Sequence, residues 1–321
     1  MRATGVGSVP GEDFREWAKV SLGGLDVAFV PELPARGVQA QMIGRSLALL
    51  DGLDADLQPA GGRLGVGSRR DHRLAQSLLA QDLDALEELG SDHTGPLKQQ
   101  LAGPWTLAAT VELARGEKVL VDHGARRDLA ESLAAGLAEH LTDLSRRFPK
   151  AQLLVQVDEP ALPAVLDAGI PTASGFGRHR TIHPPEADAH LRLLTEVVRE
   201  AGATPVAHVC ADDVPVALLH AAGFAAVGFD LARTPPSDAW GEAFEAGLDL
   251  WMGVVPSLDP AQVPTSSVMI GRVDAFLGRL GFDEEIADPR VVVSPSCGLA
   301  GATATWARTA LALAANVGAR H

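Results

Sequence analysis

"TPVAHVC" (204–210) is an apolar, β-branched run that ends in two side chains of metal-binding type, and its alternation decides the fold. Side chains on a strand face opposite sides in turn, so His208 and Cys210 share one face, a few Å apart. The same design lies on either side. Upstream, "QLLVQVDEP" (152–160) ends in Asp158 and Glu159; downstream, "FAAVGFDLA" (224–232) reaches Asp230. Further out come "ATGVGSV" (3–9), "VAFVPEL" (27–33), "LKQQLAG" (97–103), "LDLWMGVV" (248–255) and "RVVVSPS" (290–296). Between these runs lie helical patterns such as 125–148 and 184–202, the second with prolines at its start, an early acid and a glycine stop.

Eight strands alternating with helices predict an α/β fold, a (β/α)8 TIM barrel, with a doubly wound sheet as the alternative. No Pro/Gly/Ser linker or internal repeat divides the chain, so residues 1–321 read as a single domain. Residues 34–96 hold more chain than one helix needs, which predicts an extra helical excursion there.

In a barrel the carboxyl ends of all strands open onto one mouth, so residues remote in sequence converge. Gly7 and Ser8 follow the first strand, Glu32 ends the second, Asp158 and Glu159 the fourth, and Asp230 the sixth. Cys297 follows the eighth, in "SPSCGLAG" (294–301). Imidazole nitrogen and thiolate sulfur suit zinc, and a catalytic zinc site takes three protein ligands and keeps one position open. His208, Cys210 and Cys297 make such a set; the plainer alternative is that each cysteine is a small buried hydrophobe.

Composition narrows the function. Of 321 residues, 46% are hydrophobic, enough for a substantial core, and the net charge of −14 disfavours nucleic acid and anionic membrane as partners. No apolar run has signal-peptide or membrane-spanning character, so a cytoplasmic protein is expected. Two cysteines in that reducing setting speak for metal or catalysis rather than disulfides. The closely spaced glycines of 62–72 do not form G-x-G-x-x-G between strand and helix, which disfavours nucleotide binding. The basic stretch 175–185 reads as an exposed loop, with an anionic donor tail as its alternative use. His140 and His190 read as helix-surface residues, and the tryptophans other than Trp105 as core.

The motifs "VGSVPG" (6–11), "VPELPARG" (30–37), "LAGPWTL" (101–107), "VQVDEPAL" (155–162), "HVC" (208–210) and "SPSCGLAG" occur in that order at strand ends. Together they resemble the catalytic, carboxyl-terminal barrel of cobalamin-independent methionine synthases, zinc-dependent enzymes that methylate the thiol of homocysteine. The resemblance implies a barrel of the uroporphyrinogen decarboxylase and methionine synthase type. It also implies methyltransferase activity in methionine biosynthesis and a zinc cofactor. His208, Cys210 and Cys297 match the family's zinc ligands. The family's fourth ligand, a glutamate at the end of the sixth strand, is replaced here by Asp230, whose shorter arm requires a shift of strand or metal. Asp212 and Asp213 are the fallback, and a helix cap or an Arg233 partner is the structural alternative for Asp230. Glu32 and Asp158 match the residues that hold the substrate amine, and Gly7 and Ser8 the turn that binds its carboxylate.

Two departures bear on the methyl donor. The family's full-length enzyme has an additional amino-terminal barrel, for which this chain is expected to have no room. At the end of the seventh strand, "GVVPSLDP" (253–260) lacks the family's proton-transferring histidine. A folate leaving group must be protonated to depart easily, whereas a corrinoid leaves without a proton. The sequence therefore favours a methyl-corrinoid or corrinoid protein over methylfolate. Other enzymic readings are methylation of another small thiol of the coenzyme M type, and a zinc-free decarboxylase of the uroporphyrinogen type. A non-catalytic zinc and thiol-binding barrel is the remaining one.

Overall fold

The computed structural model describes residues 1–58, 61–64 and 70–320. Eight strands form one parallel sheet: Arg2–Ala3, Ala28–Phe29, Pro96–Ala102, Gln152–Asp158, Thr204–Val209, Ala226–Asp230, Asp249–Val255 and Val291–Pro295. They are called the first to the eighth strand here. Each pairs in parallel with its neighbour from the second to the eighth, and the eighth pairs with the first through Arg2↔Val292 and Ala3↔Val293. Parallel bridges Thr4↔Val27 and Ser8↔Glu32 join the first strand to the second. The result is the TIM-barrel fold predicted from sequence, with helices on the outside.

The first two strands are much shorter than their apolar runs. Pro31 and Pro34 deny ladder donors after Phe29. Gly7 brings the first-strand turn so close to the third strand that a Cβ there would lie 2.6 Å from Gln100 Nε2. Contact between first and second strands continues only through single bonds, such as Glu32 N–H to Gly7 O at 3.1 Å and Val9 N–H to Glu32 O at 2.8 Å.

Alternation grades the barrel interior from apolar to polar. Val27, Leu154, Val206, Ala226, Trp251 and Val292 make an apolar cluster of their own, a floor separate from the larger core between sheet and helices. Two residues further along each strand the same face carries Gln156, His208 and Gly228. The next pair-step reaches Asp158, Cys210 and Asp230. The mouth is polar where the fourth, fifth and sixth strands end.

Residues 34–96 contain short 3-10 turns, a helix Met42–Leu47, an antiparallel hairpin Ala55–Gln58/Gly61–Leu64 and a long helix Arg70–Gly90. The hairpin was not anticipated from sequence. The glycine-rich stretch 62–72 is split: 65–69 lie outside the described residues. Asp82 on the long helix receives Arg36 at 2.6 and 2.8 Å and Arg45 at 2.8 Å, which pins Arg45 beneath the barrel mouth. His140 corrects the surface expectation: it is buried on the inner stripe of helix His123–Arg147, with Leu137, Leu141 and Leu144. His190 is partly covered, stacked on Trp105 at 4.8 Å, and Trp105 itself is fully buried. Among the described residues no helix is long and apolar enough to cross a membrane.

Candidate functional site

Cys210 and Cys297, 87 residues apart, meet at the mouth with their sulfurs 3.0 Å apart. Both are free thiols, and the separation exceeds the roughly 2.05 Å of a disulfide. Cys297 is placed by its loop: Leu299 N–H donates to Ser8 O at 2.8 Å, and a Cβ on Gly298 would lie 2.0 Å from Ser8 Oγ. The eighth-strand loop thus packs directly on the first-strand turn, with Gly298 against the Ser8 side chain. The Cys297 thiol is drawn down to about 6. The hydrogen bond with Cys210 is the main cause; burial opposes it, and the His208 charge and the Gly298 N–H assist. Cys210 is pushed up by the same hydrogen bond and by burial. The pair gives up one proton readily and keeps the other.

His208 stands beside the thiols and is nearly buried. Its Nδ1 lies 3.1 Å from Asp158 Oδ1. Gly228 on the sixth strand makes room for the ring, since a Cβ there would sit 3.1 Å from His208 Cδ2. With Nδ1 held by a carboxylate, Nε2 is left free, the arrangement that suits a metal-binding histidine.

Asp158 belongs to a buried polar network as well. Gln156 Nε2 donates to Asp158 Oδ1 at 2.7 Å and to Val6 O at 3.0 Å. Lys98, fully buried, donates to Gly5 O and Val6 O at 2.7 Å and to Gln156 Oε1 at 2.5 Å. Those three acceptors match the three hydrogens of an ammonium group. Burial lowers the lysine to about 7, while Asp158 and Glu32 pull the other way. The network thus runs from the first-strand turn through Lys98 and Gln156 to Asp158 and His208.

Glu32 is buried, and its Oε1 accepts no hydrogen bond. Arg45 Nε is 3.9 Å away, a distant ion pair. Burial raises Glu32 to about 7; Arg45 counters this and the Asp158 charge reinforces it. The buried Glu32 carboxylate, with an unmet acceptor and the Asp158 charge acting on it, favours a cation beside it. Sequence reading missed Lys98, Gln156 and Arg45. The first two gave a signal, since polar residues at alternate positions of buried strands face the barrel interior; Arg45 gave none.

Other acids take structural positions. Asp230 accepts Ala232 N–H at 2.9 Å on its side chain, and its carbonyl takes Arg233 and Thr234 N–H, so it caps the turn after the sixth strand. Asp212 pairs with Arg233 at 2.8 Å, and Asp213 has a left-handed backbone at φ +57°. Glu159 accepts Trp105 N–H, Thr106 N–H and Thr106 Oγ1–H at 2.7–2.9 Å, capping helix Pro104–Thr110. Among the described residues no three His, Cys, Asp or Glu side chains already form a metal-holding group. Two sulfurs in contact and a carboxylate-held imidazole nonetheless have the donor chemistry that zinc takes.

The family model for the catalytic domain of cobalamin-independent synthases matches residues 90–320. No curated protein matches the chain. Solved structures with some likeness include 2,3-dimethylmalate lyase of the PEP mutase/isocitrate lyase superfamily, 13% identical at TM-score 0.38, over 91% of this chain and 76% of that one. A family 20 β-N-acetylglucosaminidase is 13% identical at TM-score 0.39, over 73% and 54%. Oxaloacetate acetylhydrolase is 12% identical at 0.37, over 95% and 77%. Likeness at this level carries no functional argument.

Proposed function

The chain belongs to the family of cobalamin-independent synthase catalytic domains, an enzyme family, and from that premise we propose a zinc-dependent methyltransferase that converts homocysteine to methionine. The observation that carries this reading is the contact between His208 and Asp158, which ties the thiol pair to the buried carboxylates. One mouth thereby offers a place for a thiol next to a place for an amine.

Cys210, Cys297 and His208 would hold zinc, with Asp230 as the fourth candidate once its turn yields the side chain. Bound zinc lowers the pKa of a thiol that joins it and keeps the sulfur nucleophilic at neutral pH. The chain's own residues do the rest. Asp158 fixes the tautomer and orientation of His208. Glu32 and Asp158 face the substrate ammonium, and Glu32 gives up its proton as that cation arrives. The N–H groups of Gly7 and Ser8 donate to nothing else among the described residues and suit the substrate carboxylate. Lys98 and Gln156 hold that turn at a fixed height above the apolar floor. The substrate sulfur, oriented by these contacts, attacks the methyl carbon of the donor; the S–C bond forms as the donor–methyl bond breaks, and orientation supplies much of the acceleration.

The test is metal content with thiol binding. The purified protein carries about one zinc per chain, and Cys210→Ser and Cys297→Ser each lose most of it. X-ray absorption shows additional sulfur around the metal when homocysteine is added. Full zinc occupancy in either variant, or an unchanged shell, overturns the reading.

A further inference from the structure

Helix Met42–Leu47 is locked on both sides of Arg45. A Cβ on Gly44 would lie 2.1 Å from Val38 O, so the helix rests directly on the 3-10 turn before it. Ser46 Oγ accepts Ala102 N–H at 2.7 Å, which ties the helix to the end of the third strand. Arg45 between them is buried, and its Nη1 donates to Asp82 at 2.8 Å. Asp82 is buried too and takes both terminal nitrogens of Arg36. Two guanidinium groups on one carboxylate leave a positive charge over. Arg45 Nε and Nη2 have no acceptor, and Glu32 Oε1 has no donor. The 3.9 Å between Nε and Oε1 is beyond hydrogen-bond reach but well within that of charge. His140 adds no charge here at neutral pH: burial, with Arg45 and Arg147 assisting and Asp143 opposing, holds it down to about 4.

An arginine serving the fold alone would gain most by closing on Glu32, since unpaired polar groups are costly to bury. The tether to Asp82 keeps it short of that contact. We propose that Arg45 is a positioning residue for the substrate amine: held by Asp82, it supports the ionised Glu32 carboxylate through charge and leaves Oε1 free to accept the ammonium. The proposal rests on the methyltransferase reading and assigns its selectivity for an amine-bearing thiol. Of the groups that favour ionised Glu32, Arg45 acts most strongly; Gln100 and Lys98 follow, and the Asp158 charge opposes them. Lys98 is no substitute, because its hydrogens are committed to Gly5 O, Val6 O and Gln156 Oε1.

The experiment is calorimetry on zinc-loaded wild type, Arg45→Met, Arg45→Lys and Asp82→Asn, with melting temperature as the control for folding. It compares homocysteine with the amine-free 3-mercaptopropionate from about pH 6 to about 8.5. Without the Arg45 charge, Glu32 holds its proton more tightly, by about one pKa unit or more. In Arg45→Met homocysteine therefore weakens about fivefold or more near pH 7, 3-mercaptopropionate stays within about twofold, and the loss narrows towards pH 8.5. Arg45→Lys restores most of the preference. Asp82→Asn frees Arg45 to close on Oε1, so it lowers the preference across the whole range, including the pH at which Arg45→Met recovers. That variant also carries the test should Arg45→Met fail to fold. Equal weakening of both thiols in Arg45→Met, or a preference left unaltered in Arg45→Met or Asp82→Asn, overturns the proposal and leaves the acceptor assignment standing. A wild type with no preference for homocysteine over the amine-free thiol sinks the acceptor assignment and the proposal together.

Discussion

Glu32 concentrates the substrate question at the scale of one residue, since its buried carboxylate lacks a hydrogen bond on Oε1 and faces the Asp158 charge. Losing one partner of a buried charged contact costs about 2–5 kcal/mol. Glu32→Ala and Asp158→Ala therefore weaken homocysteine by that order relative to 3-mercaptopropionate, which lacks the amine. Equal weakening of both thiols would reduce the acids to supports of the fold. The pH dependence has a definite sign. Free Glu32 holds its proton up to about 7, and a bound ammonium favours the ionised form. Homocysteine binding hence expels a proton and strengthens from about pH 6 to 8 by more than the amine-free thiol does, a difference that Glu32→Gln abolishes. The period-two rule made His208 and Cys210 legible as one face, and the strand-end acids legible as mouth residues. Arg45 was not legible, because its place under Glu32 depends on Asp82 from a helix 37 residues later.

Single elements show where pattern sufficed and where it failed. The third to eighth strands fall within two residues of their sequence runs, since strands buried on both faces are written as largely apolar stretches; the third, with Lys98, Gln99 and Gln100, is the exception. The hairpin Ala55–Gln58/Gly61–Leu64 has four-residue arms with polar and glycine positions, too short for alternation to register. Helix Pro104–Thr110 shows how an element can depend on a side chain far away. Glu159 serves three donors at its start, and a Cβ on Gly103 would lie 2.3 Å from Glu159 Oε1. Glu159→Ala leaves those buried donors unmet and costs about 2–4 kcal/mol in denaturant titration. Burial raises the Glu159 carboxyl to about 7, against the hydrogen bonds that favour its ionised form. A raised folded-state value means its stability contribution is full below the unfolded value of 4.5 and is lost as pH rises through about 7. Between about pH 4.5 and 7 the wild type accordingly loses melting temperature relative to Glu159→Gln. An identical slope in both proteins would show that Glu159 is ionised throughout.

The whole molecule decides what no single element can: which strand ends surround the reacting atoms. Ring closure was implicit in the strand count, but the contact of Gly298 with Ser8 and the meeting of the two sulfurs appear only when the eighth strand returns to the first. Closure also sets the seventh strand's end beside the sixth and eighth, where Val255, Pro256 and Ser257 line a cavity of about 760 Å³. Pro256 O is occupied by Trp306 Nε1–H at 3.1 Å, and Asp259 is occupied in capping helix Ala304–Gly318 through Thr303. No histidine lines that cavity among the described residues, so a donor approaching past the seventh strand's end would meet no neutral-range general acid there. A folate nitrogen leaves as a poor amide-like anion unless protonated, whereas cob(I)alamin leaves as a stable anion. Methyl transfer from methylcobalamin to homocysteine should therefore be faster than from 5-methyltetrahydrofolate or its polyglutamates, measured as methionine formed by zinc-loaded protein. The contrast should persist on raising pH, because no titrating acid in the wall is being lost. Placing a histidine in the wall, as in Ser257→His, should raise the folate rate and leave the corrinoid rate nearly unchanged. A folate rate that exceeds the corrinoid rate in the unaltered protein would mean that a group outside this wall protonates the leaving nitrogen.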